Sequence, residues 1–186
     1  MNTEIDPKGH LIEHLREHAV RTDGPFTLRS GEVSDWYIDA RQTTFDGWGA
    51  ILVGEAVLAM IEPEVTAVGG MTIGADPIAV ATAMSAARAR RPLQSFSIRK
   101  TAKEHGTEGR LVGPVVTDDV VAVIEDTTTT GSALVESIEV LQDAGIEIAQ
   151  AVTLIDRSDG AVADRLAGLG IPFAAVVTPA DLGVGS

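Results

Sequence analysis

The chain has 186 residues, 45% of them apolar, enough for one core in a single domain or a domain with a small appendage. Its net charge of −13, from 27 acids against 14 basic residues, excludes general nucleic-acid binding, and the absence of cysteine excludes disulfides, thiolate metal sites and a cysteine nucleophile. No run of about 18 apolar residues offers a membrane span, and the charged start MNTEIDPKGHLIEHLREH lacks the apolar segment of a secretory signal, so a soluble cytoplasmic protein is expected.

In chain order, residues 8 to 20 predict an amphipathic helix with Leu11, Ile12, Leu15 and Ala19 near one face. PFTLRSGEVSDWYIDAR, 25 to 41, mixes turn formers with Val33, Trp36, Tyr37 and Ile38 and reads as a hairpin-like segment. A helix is expected from Gly47 to Ile61, closed by Pro63, then a strand over VTAVGG (65 to 70), a helix over about 77 to 90 and a strand over 93 to 98. VVAVIED, 120 to 126, is a continuous apolar run meeting acids, as in a buried parallel strand with polar groups at its C-terminal end. Leu134, Ile138 and Leu141 then recur at helical spacing with Gly145 as the C-terminal cap, and strands follow over 148 to 157 and 172 to 178. The succession predicts an α/β fold with an open parallel sheet flanked by helices and a ligand crevice outside the strand C-termini. A single domain over residues 1 to 186 is expected, with about 1 to 45, the less regular part, as a small N-terminal hood over that crevice.

Glu125 and Asp126 end the apolar strand and precede Thr127, Thr128, Thr129, Thr130 and Gly131, after which a helix begins near Ser132 or Ala133. Backbone N–H groups, threonine hydroxyls and the positive end of a helix dipole can converge on one phosphate there. The two carboxylates repel phosphate but suit hydroxyl donors, and a ribose 5-phosphate carries vicinal hydroxyls beside its phosphate. A plain strand-to-helix turn accounts for one or two capping threonines, but not for two acids closing a buried strand. Neither GxxxxGK[ST] nor GxGxxG occurs. Of only three lysines in the chain, Lys8, Lys100 and Lys103, two fall in FSIRKTAKEHGTEG (96 to 109) with Arg99 and His105, a basic cluster able to hold an anionic substrate in an acidic protein.

VVAVIEDTTTTGSA resembles the phosphoribosyl pyrophosphate signature of the type I phosphoribosyltransferases, and RKTAKEHG matches the Arg-Lys-x-x-Lys-x-His-Gly catalytic loop of the orotate-specific members. The resemblance implies phosphoribosyl transfer from phosphoribosyl pyrophosphate to orotate, giving orotidine 5-monophosphate and pyrophosphate in pyrimidine biosynthesis. It implies that Glu125 and Asp126 hold the ribose 2- and 3-hydroxyls and that residues 127 to 133, including Ser132 and Ala133, wrap the 5-phosphate. Lys103, assisted by Lys100 and His105, closes on pyrophosphate; Arg29 and Arg99 bind the donor; Arg157 reads the orotate carboxylate and Thr129 contacts the base. Magnesium, held mainly by the donor rather than by protein ligands, and a homodimer with shared active sites also follow from it. VGGMTIGADPIA, 68 to 79, matches the pyrophosphate-loop region only in part, because no lysine stands near Gly74. A phosphoribosyltransferase for another base and a non-catalytic regulator of the same fold remain as alternatives.

A zinc motif competes at the N-terminus. His10, His14 and His18 recur every four residues, and HLREH fits a zinc-protease pattern with Glu17 as base, although charges interleave the helix and favour a solvated face.

Overall fold

The computed structural model describes residues 6–27, 31, 33–103 and 109–185, with Lys103 described by its backbone. Arg29, His105 and Gly106 therefore lie outside the described residues. Helix α1 (Pro7–His18) buries Leu11 and Leu15 completely and is followed by β1 (Val20–Arg21), β2 (Phe26–Thr27), β3 (Val33–Ser34) and β4 (Tyr37–Ile38). The segment expected as one hairpin forms two separate antiparallel pairs. β2 pairs with β3, while Val20 and Arg21 of β1 pair with Ile38 and Tyr37 of β4. The return of Tyr37 and Ile38 to the end of α1 follows from burial of Ile38, which is 5% exposed and belongs to the same core as Leu15 and Ala19.

The short α2 (Arg41–Thr44) leads into α3 (Gly47–Leu58), whose N-terminus is capped by the Asp46 carboxylate accepting from the N–H groups of Trp48 and Gly49. This helix ends three residues before the predicted Ile61, which leaves the helix but stays in the core. Then come β5 (Ala67–Met71), α4 (Ala75–Arg88), β6 (Gln94–Lys103) and β7 (Gly109–Val112). The chain closes with β8 (Val120–Thr128), α5 (Ser132–Asp143), β9 (Glu147–Asp156), α6 (Ala161–Ala167), β10 (Phe173–Val177) and α7 (Pro179–Leu182).

Six strands form one sheet in the order β10-β9-β8-β5-β6-β7, parallel except for β7. Alternation along β8 explains why its whole apolar run is buried. Ala122 and Ile124 join the core under α1, α3 and α4, whereas Val121 and Val123 join the opposite core with Leu134, Ile138 and Leu141 of α5 and Val162 and Leu166 of α6. Helix α5 ends as its glycine predicts. Gly145 adopts φ +71°, its N–H donates to the Gln142 carbonyl, and the Ile146 N–H reaches back to Leu141.

The chain departs from the middle of the sheet in both directions, through β5 to β6 on one side and β8 to β9 to β10 on the other. Ligands bind parallel sheets outside the strand C-termini at such a reversal, here between Met71 and Thr128.

Candidate active site

Glu125 and Asp126 sit at that reversal, still within β8, which runs on to Thr128. Thr127 and Thr128 are therefore strand residues, and the loop proper is Thr129, Thr130 and Gly131. Thr128 is buried, whereas Thr129 and Thr130 are exposed. Gly131 takes the N-cap position of α5 in the left-handed region at φ +72°, and no side chain caps the helix. The first-turn N–H groups, including those of Ser132 and Ala133, thus remain available to an anion. The Thr130 and Ser132 hydroxyls lie 2.9 Å apart at the same end.

The acids differ in environment. Glu125 is 9% exposed, and its Oε2 is buried without a hydrogen-bond partner. Burial, then the neighbouring charge of Asp126, pushes the Glu125 carboxyl up to about 9, while Lys100 pulls it the other way. The Asp126 Oδ1 accepts from the Thr127 N–H at 2.6 Å. A carboxyl oxygen left unpartnered in a wall of strands is costly unless a ligand supplies a donor, as a hydroxyl can.

The partial pyrophosphate-loop match lies directly against this pair. A Cβ built on Gly74 would stand 2.7 Å from the Asp126 Cγ. Gly74 has φ −64° and ψ −45°, open to any residue, so glycine is required for space and not for backbone freedom. Nearby, the Thr72 hydroxyl donates to Asp76 at 2.7 Å. Gly74→Ala is expected to leave the melting temperature within a few degrees and to lower kcat/KM for the phosphosugar donor by about 10- to 100-fold, the effect of a displaced binding group. Thermal melting and steady-state kinetics check this together; full activity would show that Asp126 tolerates the shift.

The basic segment is not a loop from its first residue. Met71, the last residue of β5, pairs with Ile98, so beyond Ile98 strand β6 leaves β5 behind and continues with β7 as a ribbon carrying Arg99, Lys100 and Lys103 past the sheet's C-terminal edge. Its pairing is irregular, with Ile98 opposite Leu111 and Lys103 opposite Gly109. The Arg99 Nη1 is buried without a hydrogen-bond partner, and Lys100 is exposed. Arg110, which the sequence did not single out, holds the base of the ribbon. It donates to the Arg99 carbonyl at 2.6 Å and pairs with Glu136 of α5.

On the other side of Asp126, the Arg157 N–H extends the β8–β9 ladder to the Thr128 carbonyl at 2.9 Å. Its guanidinium stacks on Trp36, 4.3 Å from the ring centroid, a cation–π contact between sheet and hairpin segment. The two line a cleft of about 990 Å³ with Ser34, Asp35, Asp156 and Thr178. In the sequence Trp36 shows only as a strand former, an aromatic set among turn residues. Arg41, also unremarked, is held by Asp39 at 2.7 Å, and the Asp126 carboxylate contributes to keeping its guanidinium charged.

The histidine motif is not assembled as a metal centre. His14 places its ring nitrogens 3.2 Å from the Thr43 hydroxyl and 3.1 Å from Asp46, with its ring tilted 44° against that of His18; Glu17 lies 3.8 Å from His18. Among the described residues no group of three or more His, Cys, Asp or Glu could hold a metal ion.

A carboxylate pair before an uncapped helix, at the reversal of a mainly parallel sheet with a basic ribbon beside it, defines the type I phosphoribosyltransferase class. No family model matches the chain. The orotate phosphoribosyltransferase of Streptomyces avermitilis is 39% identical over 180 residues, spanning 96% of this chain and 98% of its own length. That of Corynebacterium glutamicum is 39% identical over 181 residues, spanning 97% and 96%. Among solved structures, Mycobacterium tuberculosis orotate phosphoribosyltransferase in complex with phosphoribosyl pyrophosphate matches at TM-score 0.79 and 31% identity, over 96% of this chain and 99% of that one. The chain belongs to the orotate phosphoribosyltransferase family.

Proposed function

We propose that this chain performs its family's reaction, the displacement of pyrophosphate from C1 of phosphoribosyl pyrophosphate by orotate. The observation that supports the assignment most directly is the buried, unpartnered Glu125 oxygen beside Asp126 and immediately before the uncapped start of α5. Glu125 and Asp126 accept from the ribose hydroxyls, and residues 127 to 133 receive the 5-phosphate. Arg157, positioned by Trp36, pairs with the orotate carboxylate, and Thr129 borders the base. Arg29, Arg99, Lys100, Lys103 and His105 surround the pyrophosphate. Orotate is already acidic enough to need no strong base, so catalysis rests on alignment and on stabilising the leaving group.

Magnesium fits this donor set without a protein cage. Hard cations take oxygen ligands and keep waters, and a pyrophosphate with adjacent ribose hydroxyls supplies such oxygens. When bound, the ion would supply charge neutralisation on the leaving group. Activity in the cytoplasm accords with a cysteine-free sequence, and no described helix is long and apolar enough to cross a membrane.

A homodimer is the proposed working form. Helices α3 and α4 pack closely at Gly54 and Ala81, and both carry exposed apolar side chains, Trp48 62% and Ile51 37% on α3, Val80 51% and Met84 64% on α4. A face of that kind marks an interaction surface, and a second copy would cover it. Orotate loss followed by ultraviolet absorbance, with phosphoribosyl pyrophosphate and with or without magnesium, at low and molar potassium chloride, tests the reaction. Mixing Arg99→Ala with a Glu125→Ala/Asp126→Ala variant tests the sharing of sites. Each alone is expected to be inactive, and the mixture to recover roughly a quarter of wild-type activity, since half of randomly formed dimers are mixed and each has one intact site. No recovery after exchange of subunits would place every group of a site on one chain.

A further inference from the structure

Helix α6 lies beside the phosphate loop and touches it twice. The Arg165 Nη1 donates to the Thr130 carbonyl at 2.7 Å, and the Val162 methyl groups stand 3.2 and 3.3 Å from where a Cβ on Gly131 would be. Among the described residues, no carboxylate lies within ion-pair distance of Arg165. Its charge is therefore directed at the loop and not neutralised by a partner acid, in a protein whose net charge is −13.

We propose that Arg165 is a positioning residue for the 5-phosphate of the donor, acting through the Thr130–Gly131 peptide. In a trans peptide the C=O and N–H point in opposite directions. Anchoring the Thr130 carbonyl on α6 therefore commits the Gly131 N–H to the side of the loop turned away from α6. A cation on the carbonyl also polarises the peptide and makes its N–H the stronger donor. Val162 supports the same arrangement sterically. Gly131 sits at φ +72° with Val162 closing the space beside it, so the loop cannot relax toward α6 once Arg165 holds it. The anion thus meets an N–H already oriented, without the cost of ordering a threonine and glycine loop at the moment of binding.

This inference rests on the reading of residues 127 to 133 as the 5-phosphate loop, and the experiment separates the two. Inhibition by ribose 5-phosphate and by inorganic pyrophosphate is measured against phosphoribosyl pyrophosphate for the wild type, Arg165→Ala and Arg165→Lys. Arg165→Ala is expected to weaken ribose 5-phosphate inhibition and to raise KM for the donor by about three- to tenfold, the loss of one charge-assisted hydrogen bond at an exposed site. Pyrophosphate inhibition, the orotate KM and the melting temperature should stay near wild type, and Arg165→Lys should restore part of the loss. Unchanged ribose 5-phosphate inhibition in Arg165→Ala overturns the role of Arg165 alone, and so does an equal loss for every ligand with a lowered melting temperature. A wild type indifferent to ribose 5-phosphate overturns the loop assignment along with it.

Discussion

Lys103→Ala is expected to lower kcat by about 10²- to 10³-fold, the range for removing one preorganised charge donor from a developing anion, while changing orotate binding little. Pyrophosphate gains charge as the bond to C1 breaks, and the protein has few cations to meet it, with only three lysines and a net charge of −13. Two of those lysines stand on β6 beyond Ile98, where the strand has outrun β5 and is held by β7. A ribbon with one partner strand can bend over the sheet's C-terminal edge, whereas a strand held on both sides cannot. Lys100→Ala should have the smaller kinetic effect, and it should raise the Glu125 pKa further, because the Lys100 charge favours the ionised carboxylate. Steady-state kinetics with both substrates varied separate the roles. Equal losses in kcat and in orotate affinity for Lys103→Ala would mean that the lysine holds the base and not the leaving group.

The extension of β6 also shows where reading the residues stops. The core of the sheet was legible because burial on both faces forces an uninterrupted apolar run, as in VVAVIED, and because Leu134, Ile138 and Leu141 at helical spacing pack directly beneath it. The carboxylates were legible for the opposite reason, being charges where the pattern demands apolar residues. Past Ile98, however, β6 is Arg, Lys, Thr, Ala and Lys with Lys100, Thr101 and Ala102 exposed, and β7 is half-exposed. Without burial there is no periodicity, so a strand is indistinguishable from a charged loop. The pairs β1–β4 and β2–β3 comprise two residues per strand, too few to show alternation, and the β1–β4 pairing follows the burial of Ile38 in the core. Helix α6 has seven residues, and nothing in AVADRLA reveals that Arg165 meets a carbonyl 35 residues earlier. Side chains that act through distant backbone, such as Arg110 on Arg99 and Arg165 on Thr130, leave no local pattern at all.

Glu125→Gln is expected to do two opposed things: stabilise the ligand-free protein at high pH and weaken donor binding. The Glu125 carboxyl, ordinarily near 4.5, is raised to about 9 by burial and by the charge of Asp126. Between those values the folded protein retains a proton that the unfolded chain has released, so wild-type stability falls as pH rises through that window. Glutamine does not titrate and keeps a neutral group of the same shape. The variant's melting temperature should therefore match the wild type near pH 4.5 and exceed it increasingly toward pH 9, by about 2–4 °C for each kcal/mol in a chain of this length. Donor binding runs the other way. Ribose hydroxyls donate, and an ionised carboxylate accepts them more strongly than an amide oxygen, so kcat/KM for the donor should drop by about 10- to 100-fold in the variant. For the wild type near pH 7 the same argument requires release of a proton as phosphoribosyl pyrophosphate and magnesium bind, and calorimetry in buffers of different ionisation enthalpy measures it. Proton release that persists undiminished in Glu125→Gln would assign it to another group, and a pH-independent difference in melting temperature would show that Glu125 is ionised throughout.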